Sequence, residues 1–505
     1  MIRPVIFATE KGNRYLYSPS RNQFSLTHPL VNHFYSLEQD AAGIRALLKE
    51  ARKRGMYTLE GIGTFSYGEL LARYRKYSFL KKQGFFKPRK RLNLEGGISP
   101  ADIEDNIGRI KQLIFEVTED CNLSCAYCTY SKYYVNKARA SREPNLEEIR
   151  KTITWFLERR KLADSRLTIS FYGGEPLKNM KLISEVVSAL ESLPGNRTRF
   201  KFTMTSNGVY LKKYIAYLVE HDFEVGISLD GDSEGNTYRL LKNNRPSYPI
   251  VIRNLDYVQE HYPEFFEKNI NFMSVMHNRN NFGTLEQFFR EKYNKSPLMA
   301  DINTVGISDE YKTEFFRTFL ADKKEDRNDK KPMERLMMKH PRVKDLADMV
   351  DRYSGMVFKN HYQMLQPGRN NTFRKKYIPT ATCTPFSMRA FMTTEGKILP
   401  CEHIGREFEI GSADSNGPKI DKKEVSAMFN RYYRKIQTFC DKCYLSDNCK
   451  ECMFNTGVET DKPVCEFFMG HRKFSDYLAR HYSSIENDYP FFLTVANHAF
   501  RKEGS

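Results

Sequence analysis

Cys121, Cys125 and Cys128 stand in the octet Cys121-Asn122-Leu123-Ser124-Cys125-Ala126-Tyr127-Cys128, with gaps of three and then two residues. Three thiolates in one short loop can hold three irons of a [4Fe–4S] cluster and leave the fourth iron open. An open iron is what a reactive cluster needs to bind a substrate or cofactor directly. A structural zinc loop would want a fourth local ligand and closed tetrahedral geometry. No such ligand is obvious near the triad. Seven more cysteines lie downstream: Cys383, Cys401, Cys440, Cys443, Cys449, Cys452 and Cys465. Met1–Glu10 lacks the apolar core of an export signal, so this clustering favours metal or cluster ligation over a disulfide framework. Taken alone, the paired Cys-x2-Cys motifs suit a zinc ribbon too.

The triad must be held by regular elements, and the chain offers them. Leu113–Val117, Leu167–Phe171, Phe200–Met204, Val225–Leu229, Ile270–Met276 and Ile302–Ile307 read as strands. Amphipathic helical stretches such as Leu146–Arg160 and Leu182–Leu193 lie between them. Such βα alternation predicts a parallel sheet, and six units predict an open partial barrel with chemistry at the C-terminal strand ends. Three further motifs fall at those ends. Tyr172-Gly173-Gly174-Glu175-Pro176 follows the second strand, and its glycines let backbone approach a ligand closely. Met204-Thr205-Ser206-Asn207-Gly208 ends the third, and Ile227-Ser228-Leu229-Asp230-Gly231 ends the fourth. Arg239 lies eleven residues after Ser228, and an arginine fork suits a carboxylate.

The 505 residues suffice for about three domains, and a hydrophobic fraction of 40% with 36 Phe and 30 Tyr supports a sizeable core. The net charge of +18 favours acidic partners, although scattered helical Lys and Arg read first as a solvated face. No run of about 18 apolar residues occurs, so no membrane span or membrane partner is expected and a cytoplasmic location is the default. Residues 1–86 open with a hairpin, Arg14–Tyr17 and Gln23–Leu26, and a helix from about Pro29. A basic linker, 87–110, leads to the barrel, 111–307. A charged helical bridging region, 308–380, precedes the cysteine-rich 381–470 and a tail, 471–505.

The triad with Tyr127 before its third cysteine resembles the motif of the radical S-adenosylmethionine (SAM) superfamily, and the strand-end motifs resemble that family's in the right order. The resemblance implies a [4Fe–4S] cluster whose open iron chelates SAM, and a 5′-deoxyadenosyl radical that abstracts hydrogen. It implies that Tyr127 packs near the adenine and that Gly173, Gly174, Glu175 and Pro176 bind the SAM amino group. It places Ser206 and Asn207 at the ribose, and Ser228 and Arg239 at the carboxylate. Cys383 to Cys465 resemble the SPASM extension of radical SAM peptide-modifying enzymes, with one gap of two residues where three is usual. That resemblance implies two auxiliary iron–sulfur clusters: Cys440, Cys443, Cys449 and Cys465 on the outer one, Cys383, Cys401 and Cys452 on the inner. Some relatives carry an eighth cysteine about six residues before the first, where Tyr377 stands, so the inner cluster is one thiolate short. An open site, His403 or a substrate group would complete it. Glu402 occupies the place of an aspartate proposed as general base in sulfatase-maturing enzymes.

The expected fold is thus α/β: a partial (β/α)6 radical SAM barrel, an N-terminal winged-helix-like peptide-recognition domain and a C-terminal SPASM domain. Residues 1–86 resemble leader-peptide recognition domains, and Tyr74–Phe86 resembles the N-terminal region of the same maturases. The resemblance implies an oxidoreductase that cross-links a ribosomally made precursor peptide through a thioether or carbon–carbon bond, or makes a related modification such as epimerisation or dehydrogenation. Its partners would be that peptide with its leader and a reductant such as flavodoxin or ferredoxin. Two alternatives stand beside it: oxidation of a sulfatase active-site Cys or Ser to formylglycine, and a zinc-dependent nucleic-acid-binding protein. The strand-end motifs do not fit the latter, so nucleic acid is not the expected partner.

Overall fold

The computed structural model describes residues 2–89, 97–135, 143–161, 165–193, 198–304, 306–320, 380, 382–446, 449, 451–490 and 492–493. They belong to two units. Residues 321–379 of the expected bridging region, and with them Tyr377, lie outside the described residues.

One unit comprises Met1–Gly96, Pro332–Thr382 and Tyr432–Ser505. Its N-terminal part holds an antiparallel sheet of β1 (Val5–Ala8), β2 (Arg14–Ser18) and β3 (Gln23–Leu26). The expected hairpin pairs Tyr17 with Phe24 and turns at Asn22, whose φ of 52° is tolerated by a short polar side chain. Then come α1 (Pro29–Ser36), α2 (Ala41–Arg54), a hairpin of β4 (Met56–Leu59) and β5 (Gly63–Ser66), and α3 (Tyr67–Lys82). A reciprocal capping box of Ser66 and Glu69 starts α3. Alternation along β2 decides its packing. Leu16 is buried with Leu30, Val31, Phe34, Leu70 and Leu80. Its neighbour Tyr17 joins Val5, Phe7, Phe474 and Leu478, the last two from the helix His471–Asn487.

The other unit comprises Gly97–Lys331 and Cys383–Arg431. After α4 (Pro100–Gly108) it alternates β6 (Gln112–Thr118), α5 (Leu146–Glu158), β7 (Leu167–Gly173), α6 (Met180–Glu191), β8 (Phe200–Ser206), α7 (Leu211–Glu220) and β9 (Glu224–Ser228). Next come α8 (Tyr248–His261), α9 (Pro263–Asn269), β10 (Ile270–Met276), α10 (Phe282–Tyr293), β11 (Leu298–Asp301) and α11 (Lys312–Phe319). The six strands lie side by side in chain order and all pair in parallel. From Leu113 onward every residue of β6 is buried, as expected of a strand covered on both faces. One row of partners crosses the sheet: Phe115, Phe171, Met204, Val225 and Ile270, none more than 3% exposed. In β8, β9 and β10, where buried and less buried residues alternate, a slip of one residue would turn this row out of the core, so burial fixes their register.

The sixth strand falls at Leu298–Asp301, not at Ile302–Ile307. Ile302 and Ile307 are buried among Tyr133, Tyr134, Phe315 and Phe319, so their apolar character reports a loop packed on aromatics rather than a strand. β12 (Arg389–Met392) adds to the free side of β6 in parallel, and β13 (Lys397–Leu399), β14 (Gly411–Asp414) and β15 (Gly417–Lys419) continue antiparallel. No helix among the described residues is long and apolar enough to cross a membrane.

Candidate active site

The loop that follows β6 carries the triad. Cys121 is buried, and its Sγ accepts the Leu123 N–H at 3.4 Å and lies 3.7 Å from Asn207 Nδ2. Burial pushes the Cys125 thiol up to about 12, against the pull of Arg239 and with smaller upward contributions from Cys128 and Cys121. The three sulfurs therefore sit within reach of one another's charge. Gly173 and Gly174 make room for this loop. The Gly174 and Glu175 N–H groups donate to the Thr118 and Asp120 carbonyls at 2.8 and 2.9 Å. A Cβ on Gly173, whose φ is 138°, would stand 2.0 Å from the Thr118 carbonyl oxygen. One on Gly174 would stand 2.4 Å from that of Asp120.

Glu175 ties the second strand end to the third. It is fully buried, and its carboxyl accepts Ser206 Oγ at 2.8 Å, the Asn207 N–H at 2.7 Å and the Leu177 N–H at 3.2 Å. Burial raises this carboxyl to about 7, against the lowering by those three donors. Ser206 Oγ in turn accepts the Gly208 N–H, and Asn207 Nδ2 reaches Asn122 Oδ1 at 2.8 Å. Glu175, Ser206 and Asn207 are thus brought together and linked to the cysteine loop. Pro176 is buried at the start of the short turn Pro176–Asn179.

The fourth strand end carries a residue that the sequence reading quoted but did not single out. Asp230 is wholly buried and takes Arg239 Nε at 2.8 Å and Nη2 at 3.0 Å in a two-pronged ion pair. The Tyr127 hydroxyl donates to the same carboxylate, and the Val275 N–H reaches its Oδ1 at 2.9 Å. Burial alone would raise the Asp230 carboxyl. The Arg239 charge and the hydrogen bonds outweigh it and hold the group at about 2. The Arg239 guanidinium also lies 5.5 Å from the Tyr127 ring centre. Its Nη1 has no acceptor among the described residues. Ser228, half-buried at the end of β9, makes no side-chain hydrogen bond to a described residue.

A second network joins the loop to the segment after residue 383. Glu116 and Glu119 are buried, and Arg406 reaches both. Tyr130 and the Thr394 N–H also donate to Glu116, at 2.5 and 3.0 Å. Tyr172 lies nearby, its phenol raised by burial and then by the charges of Glu402, Cys128, Glu116 and Cys401. Glu402 pairs through Oε1 with Arg389 at 2.8 Å, while its buried Oε2 has no partner among the described residues. His403 stands 3.4 Å from that carboxylate. Cys383 shares the field of Arg389 and Glu402. In the other unit, Cys440, Cys443, Cys449 and Cys465 lie within one another's electrostatic reach, and burial pushes Cys449 up to about 12. Cys452 belongs to that unit too, and Cys383 and Cys401 to the barrel.

Sequence analysis overlooked Asp230, Glu116, Glu119 and Arg406 because isolated acidic and basic residues read as surface. The signal available was position: Glu116 interrupts an apolar strand, and Asp230 follows Ser228 by two.

Residues 115–291 match the Radical SAM superfamily. An uncharacterized protein of Methanocaldococcus jannaschii is 29% identical over 36% of this chain and 58% of its own. A cysteine-type anaerobic sulfatase-maturating enzyme of Clostridium novyi is 24% identical over 68% of this chain and 85% of its own. The radical SAM cyclopropyl synthase TigE of Paramaledivibacter caminithermalis is 24% identical over 42% and 44%. The chain thus spans less than two thirds of the first and third of these relatives. The fold is that of native anSMEcpe with bound AdoMet and Cp18Cys peptide, at TM-score 0.50 and 18% identity over 77% of this chain and 99% of that one. Residues 115–291 thus form a radical SAM domain. That class implies SAM and one [4Fe–4S] cluster, and the site fits them: three thiols in one loop, glycines that leave no room for a Cβ, and a buried guanidinium with a free edge. The zinc-dependent nucleic-acid reading falls away.

Proposed function

We propose that the enzyme is a maturase that oxidatively modifies a ribosomally made precursor peptide and closes a thioether or carbon–carbon cross-link. The observation that carries this is the pairing of the barrel triad with a second gathered set of thiols, Cys440, Cys443, Cys449 and Cys465. The similarity to a sulfatase-maturating enzyme and to anSMEcpe with bound Cp18Cys peptide supports a peptide substrate. In this reading Cys121, Cys125 and Cys128 hold the radical-generating cluster, and Cys383, Cys401 and Cys452 hold the inner auxiliary one. When bound, these groups with SAM supply a 5′-deoxyadenosyl radical and an acceptor for the electron that a net two-electron oxidation releases. Tyr127, Gly173, Gly174, Glu175, Pro176, Ser206, Asn207, Ser228 and Arg239 position SAM. Glu175 does so indirectly, since its carboxylate is spent on Ser206 and Asn207.

Glu402 takes the substrate proton. Arg389 holds one carboxylate oxygen, and Oε2 has no partner among the described residues. Glu402→Gln keeps the shape and removes the base, so product per 5′-deoxyadenosine is expected to fall about 10- to 100-fold while SAM cleavage continues. Unchanged coupling would remove Glu402 from the mechanism.

Residues 1–86 capture the leader. Among the described residues β3 pairs only with β2, so its outer edge offers backbone groups for strand addition. Lys76 and Arg73 lie beside it and suit an acidic leader. Deleting residues 1–86 is expected to weaken precursor binding by about tenfold or more, measured by titration calorimetry; equal affinity would refute the assignment.

The long match to the sulfatase-maturating enzyme favours a second reading, oxidation of a Cys or Ser to formylglycine. Anaerobic incubation with SAM, reductant and either substrate class, read by peptide mass and by aldehyde trapping, separates the two.

A further inference from the structure

We infer that Asp230 is a positioning residue for SAM: it holds Arg239 by one edge of the guanidinium and presents the other to the SAM carboxylate. This rests on the reading of Arg239 as the carboxylate's partner.

Every polar atom of Asp230 is committed. Oδ1 takes Arg239 Nη2 at 3.0 Å and the Val275 N–H at 2.9 Å. Oδ2 takes Arg239 Nε at 2.8 Å and the Tyr127 hydroxyl, with His277 Nε2 at 3.7 Å. The Asp230 N–H donates to Asn236 Oδ1 at 3.2 Å, and its carbonyl accepts Asn280 Nδ2 at 3.1 Å. A residue held at so many points from β9, β10 and the cysteine loop cannot swing. Its partner inherits that rigidity.

A guanidinium is a planar fork whose edges each match a carboxylate. Asp230 occupies the Nε–Nη2 edge. Nη1 has no described acceptor, and the Arg239 side chain is only 9% exposed. Nη1 is not among the fully buried atoms, so this edge of the fork is open to a ligand, and a buried ion pair by itself is weak evidence of stabilisation. The free donor is accounted for if an anionic ligand completes it. Tyr127 links the pair to the cysteine loop, so the same carboxylate sets where the aromatic ring and the cation stand relative to the triad.

The test is equilibrium binding of SAM and of decarboxylated SAM to the iron-loaded protein without reductant, by titration calorimetry, for the parent, Arg239→Gln and Asp230→Asn. The parent should prefer SAM, and Arg239→Gln should lose the part of that preference that exceeds the carboxylate's bond to the open iron. Asp230→Asn should lower SAM affinity about tenfold, the loss of one charge-assisted contact, and leave decarboxylated SAM within about threefold. If Asp230→Asn keeps the parent's preference while Arg239→Gln loses that part of it, the inference fails and the reading of Arg239 stands. If Arg239→Gln keeps the preference in full, that reading fails and the inference with it. Should Asp230→Asn not take up iron, Asp230→Glu keeps the charge but displaces the fork. A reduced preference then supports the inference, and the parent's preference overturns it.

Discussion

Replacing Cys121, Cys125 and Cys128 by alanine is expected to bring 5′-deoxyadenosine formation to background and to remove about four irons per chain. Alanine takes over none of the metal bonds. The fold should survive, because the strand row from Phe115 to Ile270 and the Glu175 knot do not depend on the thiols. The triad belongs to one unit and the four cysteines to the other. Iron and sulfide on those four should therefore remain, and the variant should stay brown while inert towards SAM. Iron analysis and chromatographic assay of 5′-deoxyadenosine check both halves. A variant that still cleaves SAM would show that another set of cysteines starts the chemistry.

Gly173→Ala is expected to be as damaging by a different route. Its φ of 138° is strained for any residue with a Cβ, and that Cβ would stand 2.0 Å from the Thr118 carbonyl oxygen. Thr118 is backbone at the mouth of the cysteine loop, so relief requires the loop to move. Strain and overlap together cost about 3 kcal/mol or more, a fall in midpoint temperature on the order of 10 °C. Gly12 supplies the control. It too has a positive φ, 81°, but nothing lies within 4 Å of a Cβ there. Gly12→Ala should cost only about 1 kcal/mol and leave SAM cleavage unchanged. Thermal unfolding of the iron-loaded variants separates the two. Equal midpoints would mean that the loop does not need the close approach.

What could be read from the chain follows from where the information lies. Cysteine spacing is local, so the triad and the Cys440 to Cys465 set were visible at once. Periodicity also placed five of the six parallel strands within one or two residues. It misplaced the sixth because Ile302 and Ile307 pack on Tyr133 and Phe319, contacts made by residues far away in the chain. Glycine roles were visible as a need for closeness, but not what comes close: here the Thr118 and Asp120 carbonyls. Asp230 was invisible for a stronger reason. Its partners, Tyr127, Arg239, Val275 and His277, come from three separate strand ends, and nothing local marks a carboxylate as buried. Likewise Arg406 reads as a surface cation until β12 joins β6 and brings it onto Glu116 and Glu119. Tyr377 lies outside the described residues.

Hydrogen transfer from peptide to the 5′-deoxyadenosyl group is the heart of the proposed function. It can be followed with a precursor peptide deuterated on its side chains and α-carbons, incubated anaerobically with the holoenzyme, SAM and a reductant, and read by mass spectrometry of the nucleoside. The account predicts deuterium in 5′-deoxyadenosine and a peptide lighter by about two hydrogen or deuterium atoms for each cross-link. Deuterium-free 5′-deoxyadenosine with every precursor peptide, and peptide of unchanged mass, would contradict it.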